Sequence, residues 1–359
     1  MALDRNNLVQ LMKTVAKADS SAPVAYSFNG QNFSYESLNE TLRAELNELA
    51  GSNASYRENK NLIFSIIEET LSEILPKKVQ DAYSQFADVQ TFAQGDKPVF
   101  RRKINARQRA KQFVTRVGLA GVYEVFKLGG EESITVPTTA IGAAAQISIE
   151  EFLDGRVDFA ELTAIIMEGM DELVYREVAK AMCDGVNQLP HANKVATAGF
   201  DEAAFDTLIA IAAAYGAPTI YCSYDFAVKM IPKAQWLFTD SMKEEIWNNG
   251  HFTNYKGTRV IILPNGFVDD TNATRVLDPG FVWIIPTGGE KPVKIAFEGD
   301  TLLREEENHD WSRDIHVYKK VGVVAILTNN ICSYIDTSLQ GKMGVEAIGQ
   351  ASEYKYSVQ

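Results

Sequence analysis

The sequence predicts an α+β fold, and three observations predict it. One helix pattern of unusual length runs from about residue 157 to 182, helix and strand patterns alternate from about 195 to 299, and strand-rich pieces follow up to about 338. In the long helix, Phe159, Leu162, Ile166, Met170, Leu173, Val178 and Met182 form one apolar stripe. Glu161, Glu168, Asp171, Glu172, Arg176, Glu177 and Lys180 lie on its other side. At 1.5 Å per residue, roughly 26 residues make a rod of about 40 Å, against a mean helix of about 11 to 12 residues. Gly185 and Pro190 close it.

Ahead of that helix, residues 1 to 90 read as a loosely amphipathic helical arm with Ser and Asn breaks at SSAPVAYSFNGQ and GSNAS. Its clearest helix carries Leu62, Ile63, Ile66, Ile67, Leu71, Ile74 and Leu75 at helical spacing, and Pro76 is expected to stop it. This opening suits either a small globular module or an extended arm whose apolar face is buried on a neighbour. Between Asp96 and Arg116 the text turns basic: Lys97, Arg101, Arg102, Lys103, Arg107, Arg109, Lys111 and Arg116 occur with no acidic residue after Asp96. Val122, Tyr123, Val125 and Phe126 then read as one strand, Gly129-Gly130 as a turn, and Ile134 with Val136 as a second strand.

Beyond the long helix, FDEAAFDTLIAIAAAYG reads as a helix, PTIYCS as a buried strand, YDFAVKMI as a short helix and DSMKEEIWNNG as a helix closed by Gly250. Arg259 to Leu263 and FVWIIP read as further strands, which makes this region an α/β module. PVKIAFEG, DIHVYKKVGVVAILT and ICSYID complete the β-rich part, and Gly322 inside the second piece suggests a bend, bulge or turn. A polar tail occupies residues 341 to 359.

Composition excludes several classes of function. With 46% hydrophobic and 23% charged residues, 359 residues bury one full core and have length for two. No apolar run approaches the roughly 18 residues of a membrane span, and the N-terminus MALDRNNLVQLMKTVAK lacks the apolar core of a signal peptide. The expectation is folding in a cytoplasm. Cys183, Cys222 and Cys332 are odd in number and far apart, so they announce neither a disulfide framework nor a metal site. A formal charge of −12 is the wrong sign for a dedicated nucleic-acid binder, although the stripe from Arg101 to Arg116 is locally basic.

Catalytic and cofactor readings fail on spacing. A phosphate-cradling loop at Gly341-Lys342 needs a glycine where Asp336 stands and a Ser or Thr where Met343 stands. His191, His251, His309 and His316 show neither helical metal-ligand spacing nor a neighbouring cysteine pair. No nucleophile elbow is present. No cofactor, metal or catalytic residue is therefore expected. The run Glu305-Glu306-Glu307 reads as a solvated face or as an acidic partner for basic residues. The basic stripe suits phosphate contact, pairing with an acidic surface of another copy, or a solvated loop, and the inter-subunit reading is favoured because only Phe100 and Phe113 interleave with it. Arg101, Arg102, Lys103, Arg107, Arg109 and Lys111, facing the acidic side of the long helix or Glu305, Glu306 and Glu307 of a neighbouring copy, are the contacts this reading expects.

The order of these parts resembles the Hong Kong ninety-seven-type fold of tailed-phage major capsid proteins, shared with encapsulins. That fold runs as N-terminal arm, projecting two-stranded E-loop, long spine helix, α/β axial domain, and late strands returning to the peripheral domain. The resemblance rests on ISIEEFLDGRVDFAELTAIIMEGMDELVYREVAKAMCDG, on APTIYCSYDFAVKMI and on FTNYKGTRVIILPNG. It implies an E-loop region at 91 to 145, a peripheral domain from 146 to 194 and 300 to 340, and an axial domain at 195 to 299. It implies a virion subunit of hexamers and pentamers, assembled in the host cytoplasm around DNA held by non-specific contact, with a portal protein and, because Met1 is retained, a separate scaffolding protein. Some relatives form a Lys to Asn cross-link from the E-loop, for which Lys127 is the one candidate donor here. The competing readings are an encapsulin-like compartment and an α/β metabolic enzyme built on residues 195 to 299.

Overall fold

The computed structural model describes residues 5–17, 26–28, 31–50, 52–103, 131–147, 159–231, 240–267, 275–288, 290–309 and 313–339. The chain divides into two compact units, each assembled from three separate stretches: Met1–Pro98, Thr135–Tyr175 and Lys294–Val323 make the first, and Val99–Ile134, Arg176–Val293 and Val324–Gln359 the second. The mixed content of helix and sheet is that of an α+β protein.

Three helices open the first unit: α1 (Arg5–Lys17), α2 (Tyr35–Ala50) and α3 (Asn53–Tyr83). Between the first two helices β1 (Tyr26–Phe28) pairs antiparallel with β2 (Gln31–Phe33), and serines cap the helices that follow, since the Ser34 hydroxyl accepts from Ser37 N–H and the Ser52 hydroxyl from Ser55 N–H. Leu8, Leu11 and Met12 of α1, Leu38, Leu42 and Leu46 of α2, and Ile63, Ile66, Leu71 and Val79 of α3 are all buried. The apolar faces of this opening are thus covered within the chain. Pro76 does not stop α3, which continues to Tyr83. A mid-helix proline costs about 3 kcal/mol, but Ile74, Leu75, Val79 and Tyr83 on both sides of it are buried, and each contributes about 1.5–3 kcal/mol by leaving water.

The same unit holds a four-stranded sheet in the order β3-β12-β13-β6, where β3 is Ala87–Phe92, β6 is Thr139–Ile147, β12 is Val293–Glu307 and β13 is Arg313–Ala325. β13 and β6 pair antiparallel over nine positions, from Arg313 opposite Ile147 to Val321 opposite Thr139. β6 was not evident in the sequence because GAAA has little strand propensity, so cross-strand pairing decides its conformation. Gly322 does not turn the chain. β13 runs through it, and a Cβ there would lie 2.4 Å from the Pro137 carbonyl oxygen, so close backbone approach demands glycine. The side chains of α3 satisfy part of β12: Ser72 Oγ accepts from Thr301 N–H at 2.8 Å and Glu68 from Leu303 N–H at 2.7 Å. Helix side chains here do the work of a neighbouring strand.

The long helix is α4 (Phe159–Gly185). Ile166, Met167, Met170, Val174, Val178, Ala179, Met182 and Cys183 are its buried positions. In the first unit Tyr175 of α4 stacks on Tyr83 with ring centroids 5.8 Å apart, and Asp171 faces Lys78 at 3.4 Å.

The second unit contains a six-stranded mixed sheet, order β7-β14-β11-β8-β10-β9. Its strands are β7 (Lys194–Thr197), β8 (Pro218–Cys222), β9 (Asn254–Tyr255), β10 (Thr258–Ile262), β11 (Phe281–Pro286) and β14 (Cys332–Asp336). Its helices are α5 (Glu202–Ala213), α6 (Tyr224–Lys229) and α7 (Asp240–Asn249). Each strand read between 195 and 299 is present, and β11 is buried at every position, as befits a central strand. Within residues 300 to 340, β12 and β13 join the first unit, whereas β14 enters the second between β7, parallel to it, and β11, antiparallel. Cys332 and Tyr334 bring β14 there, packing with Phe205, Leu208, Phe226, Val282 and Ile284 in one apolar cluster.

A separate pair joins β4 (Val99–Lys103) to β5 (Glu131–Thr135). The expected strand at Val122 to Phe126, the Gly129-Gly130 turn, Lys127 and the tail 341 to 359 lie outside the described residues. Two glycines separate propensity from packing. Nothing lies within 4 Å of a Cβ built at Gly169 in α4, so Gly169→Ala is expected to stabilise by up to about 1 kcal/mol. Gly322→Ala is expected to destabilise by about 1–3 kcal/mol through overpacking. Urea unfolding curves of the two variants test both signs.

Candidate inter-subunit surface

β4 carries the start of the basic stripe. Phe100 is buried and Arg101 exposed, the alternation a strand imposes. Arg102 and Lys103 belong to the same strand, but their side chains, and all of Arg107, Arg109 and Lys111, lie outside the described residues. Opposite in charge, the run Glu305-Glu306-Glu307 ends β12. Strand periodicity divides it. The Glu305 side chain is only 5% exposed and accepts from Lys60 Nζ at 2.9 Å and from the Tyr56 hydroxyl at 3.2 Å. Glu306 faces outward and pairs with Arg304 at 2.9 Å, and Glu307 is exposed. Glu305 therefore serves its own chain, locking β12 to α3, and Glu306 and Glu307 are the members of the run on the surface.

Glu298, a residue the sequence did not mark, fixes the two crossings that precede β4 and follow β5. It accepts from Gly95 N–H at 3.2 Å, from the Thr138 hydroxyl, and from Lys320 Nζ at 3.2 Å. Thr138 first, then Gly95 and Lys320, hold its carboxyl below the usual range. Val136 N–H also donates to the Pro98 carbonyl at 3.0 Å, so the two crossings are bonded directly to each other. Next to Lys320, Lys319 is buried, donates to the Gly299 carbonyl at 2.7 Å, and has its pKa lowered by burial.

In the second unit, Asp336 at the end of β14 is fully buried. Its carboxylate accepts from Lys229 Nζ at 3.0 Å, Gly199 N–H at 2.9 Å, Ser338 N–H at 2.9 Å and Ser338 Oγ at 2.7 Å. Burial works to raise its pKa, and the bonds from Ser338, Lys229 and Gly199 outweigh it, so the net shift is downward. The three cysteines are buried, and burial pushes the Cys222 and Cys332 thiols up to about 12. Among the described residues, no group of three or more His, Cys, Asp and Glu is placed to hold a metal ion, and no helix is long and apolar enough to cross a membrane. The perturbed groups above are explained by burial or by a bond that fixes a strand end or crossing.

The sequence pattern of a family described as "SPbeta prophage-derived putative capsid protein YonB" matches residues 7–335. The chain belongs to this capsid-protein family. No curated protein matches it. Similar solved structures include the mature capsid of bacteriophage PhiM1, 9% identical over 70% of this chain and 86% of that one, TM-score 0.49. The head of Helicobacter pylori bacteriophage KHP40 is 14% identical over 72% of this chain and 91% of that one, TM-score 0.44. The SrpI encapsulin of Synechococcus elongatus is 10% identical over 69% of this chain and 85% of that one, TM-score 0.42. The protein is a capsid protein, its role is structural and its place is the virion.

Asp336 offers a test of the second unit's closure. Its folded pKa is depressed, so its contribution is fully present above the ordinary aspartate value of about 3.9 and is lost as pH falls through the folded value. Asp336→Asn in the capsid protein is expected to cost about 2–3 kcal/mol at pH 7, less than a fully buried pair because Lys229 is part exposed. It is also expected to flatten the loss of stability below about pH 4. Denaturant titrations at pH 7 and at acid pH check both. An unchanged acid slope would contradict the assignment.

Proposed function

We propose that this capsid protein forms hexamers and pentamers that close an icosahedral head around the double-stranded DNA genome of a tailed phage. The family match over residues 7–335 carries the reading. The order of elements supports it: helical opening, paired strands β4 and β5, long helix, mixed-sheet unit, and late strands returning to both units. In this reading β4 and β5 begin the E-loop, α4 is the spine helix, the six-stranded sheet is the core of the axial domain, and β3, β6, β12 and β13 form the peripheral sheet. Assembly takes place in the host cytoplasm with a separate scaffolding protein and a portal. DNA is contacted without sequence preference, through phosphate charge alone.

The basic stripe is the contact we assign between copies. Arg101, Arg102 and Lys103 on β4, with Arg107, Arg109 and Lys111 after them, pair with an acidic surface that includes Glu306 and Glu307 of another copy. Salt weakens such contacts, because exposed charges are screened within about 8 Å at physiological ionic strength. Changing Arg101, Arg102 and Lys103 together to alanine is expected to leave the unassembled chain folded and to reduce the yield of assembled particles severalfold in sedimentation velocity. Wild-type sedimentation tests the larger reading. Fast-sedimenting particles of uniform size are expected, and a stable monomer under all assembly conditions would contradict it. Normal particles from the triple variant would remove the stripe from the contact.

A further inference from the structure

The second unit carries a reactive pair of residues outside the contacts described above. Asparagine followed by glycine occurs at 29–30, 249–250 and 265–266. Such a pair can cyclise, because glycine has no side chain to shield its backbone nitrogen from the asparagine amide. The first pair lies outside the described residues. Asn265 is held at both ends of its side-chain amide: Nδ2 donates to the Leu277 carbonyl at 3.0 Å, and Oδ1 accepts from Leu277 N–H at 2.9 Å. Asn249 is the opposite case. It is exposed at the last position of α7, and Gly250 after it stands at φ +74°. Gly250 N–H donates to the Ile246 carbonyl at 2.8 Å, closing the last turn, and bonds at fraying helix ends open at little free-energy cost.

What sets Asn249 apart is His251. Its Nδ1 lies 2.8 Å from the Asn249 carbonyl oxygen. A carbonyl oxygen can only accept, so Nδ1 carries the proton and donates. The ring is half-buried and lies edge-on to Tyr224 with centroids 6.3 Å apart, and a Cβ on Gly250 would collide with the Tyr224 hydroxyl. When the Gly250 nitrogen loses its proton, much of the negative charge moves onto that same Asn249 carbonyl oxygen, where a positioned N–H stabilises it as an oxyanion hole does. We propose that Asn249 is a self-modification site, at which His251 assists the Gly250 nitrogen in attacking the Asn249 side-chain amide. The bond from the Gly250 nitrogen to Cγ forms, the Cγ–Nδ2 bond breaks, and Nδ2 leaves as ammonia with the proton that Gly250 gave up. Water then opens the cyclic imide at either carbonyl and leaves aspartate or isoaspartate at position 249. No oxidant or reductant enters. The product puts a negative charge at the C-terminus of α7, where the helix dipole disfavours it. Isoaspartate also lengthens the backbone beside the tight approach of Gly250 to Tyr224, so the end of α7 loosens as the protein ages.

Peptide mass spectrometry of the purified full chain, incubated at neutral pH and sampled over weeks, tests this in wild type, H251F and H251N. Phenylalanine keeps a ring beside Tyr224 without the donor, and asparagine places a donating amide near the position of Nδ1. In wild type, position 249 is expected to convert while Asn265 stays intact. Conversion in H251F is expected to be on the order of threefold to tenfold slower, as the loss of one hydrogen bond implies. H251N is expected to convert at a rate close to that of wild type. Wild-type chain that converts position 249 no faster than Asn265 overturns the site. H251F that converts as fast as wild type, or faster, overturns the part given to His251. H251N as slow as H251F overturns it too, because the packing of the ring and not its proton would then be at work. None of these readouts depends on assembly into a shell.

Discussion

The placement of β14 between β7 and β11 is the constraint on which the second unit depends. Residues 332–336 must travel back to pair with residues 194–197 on one side and 281–286 on the other before that sheet has a centre. Without β14 the apolar cluster lacks Cys332 and Tyr334, and β7 has no neighbour in the sheet. The Tyr334 hydroxyl is itself committed, accepting from Asp201 N–H at 2.7 Å and donating to the Gly199 carbonyl at 2.8 Å, so β14 also fixes the start of α5. The first unit has the same dependence on late chain, because β12 and β13 are the middle strands of its sheet. Such non-local pairing is slow to form. A unit built this way is complete only after residues 332–336 have been made.

Much of this was legible in the sequence because it is local. The stripe of α4, the glycine ends of α4 and α7, and the strand and helix patterns from FDEAAF to FVWIIP depend on periodicity and breakers alone. What was hidden depends on distant partners. Pro76 stays within α3 because apolar side chains on both sides of it are buried, and no window of sequence contains that information. β6 is a strand because β13 lies beside it, not because alanine and glycine prefer the conformation. The three glutamates 305 to 307 look alike in the text. Only the phase of β12 against α3 turns Glu305 inward to Lys60 and leaves Glu306 outside.

The titratable groups follow the same logic. Perturbed pKa values often mark catalytic sites, but here each has a structural cause. Glu298 holds two chain crossings, Asp336 closes the end of β14, and Lys319 caps the Gly299 carbonyl from inside a sheet. Glu73 is drawn down to about 2 by Lys13 and Lys77, tying α1 to α3. Charge inside this protein fixes backbone. Charge outside it, on β4 and at the end of β12, is the surface we propose for contact with other copies.

We propose above that this chain closes a symmetric shell with copies of itself. Electron cryomicroscopy of purified particles, reconstructed without imposed symmetry, tests it most directly. A closed icosahedral shell with fivefold and sixfold capsomers is expected. Particles that lack fivefold vertices, or images of dispersed single subunits under every assembly condition, would contradict it.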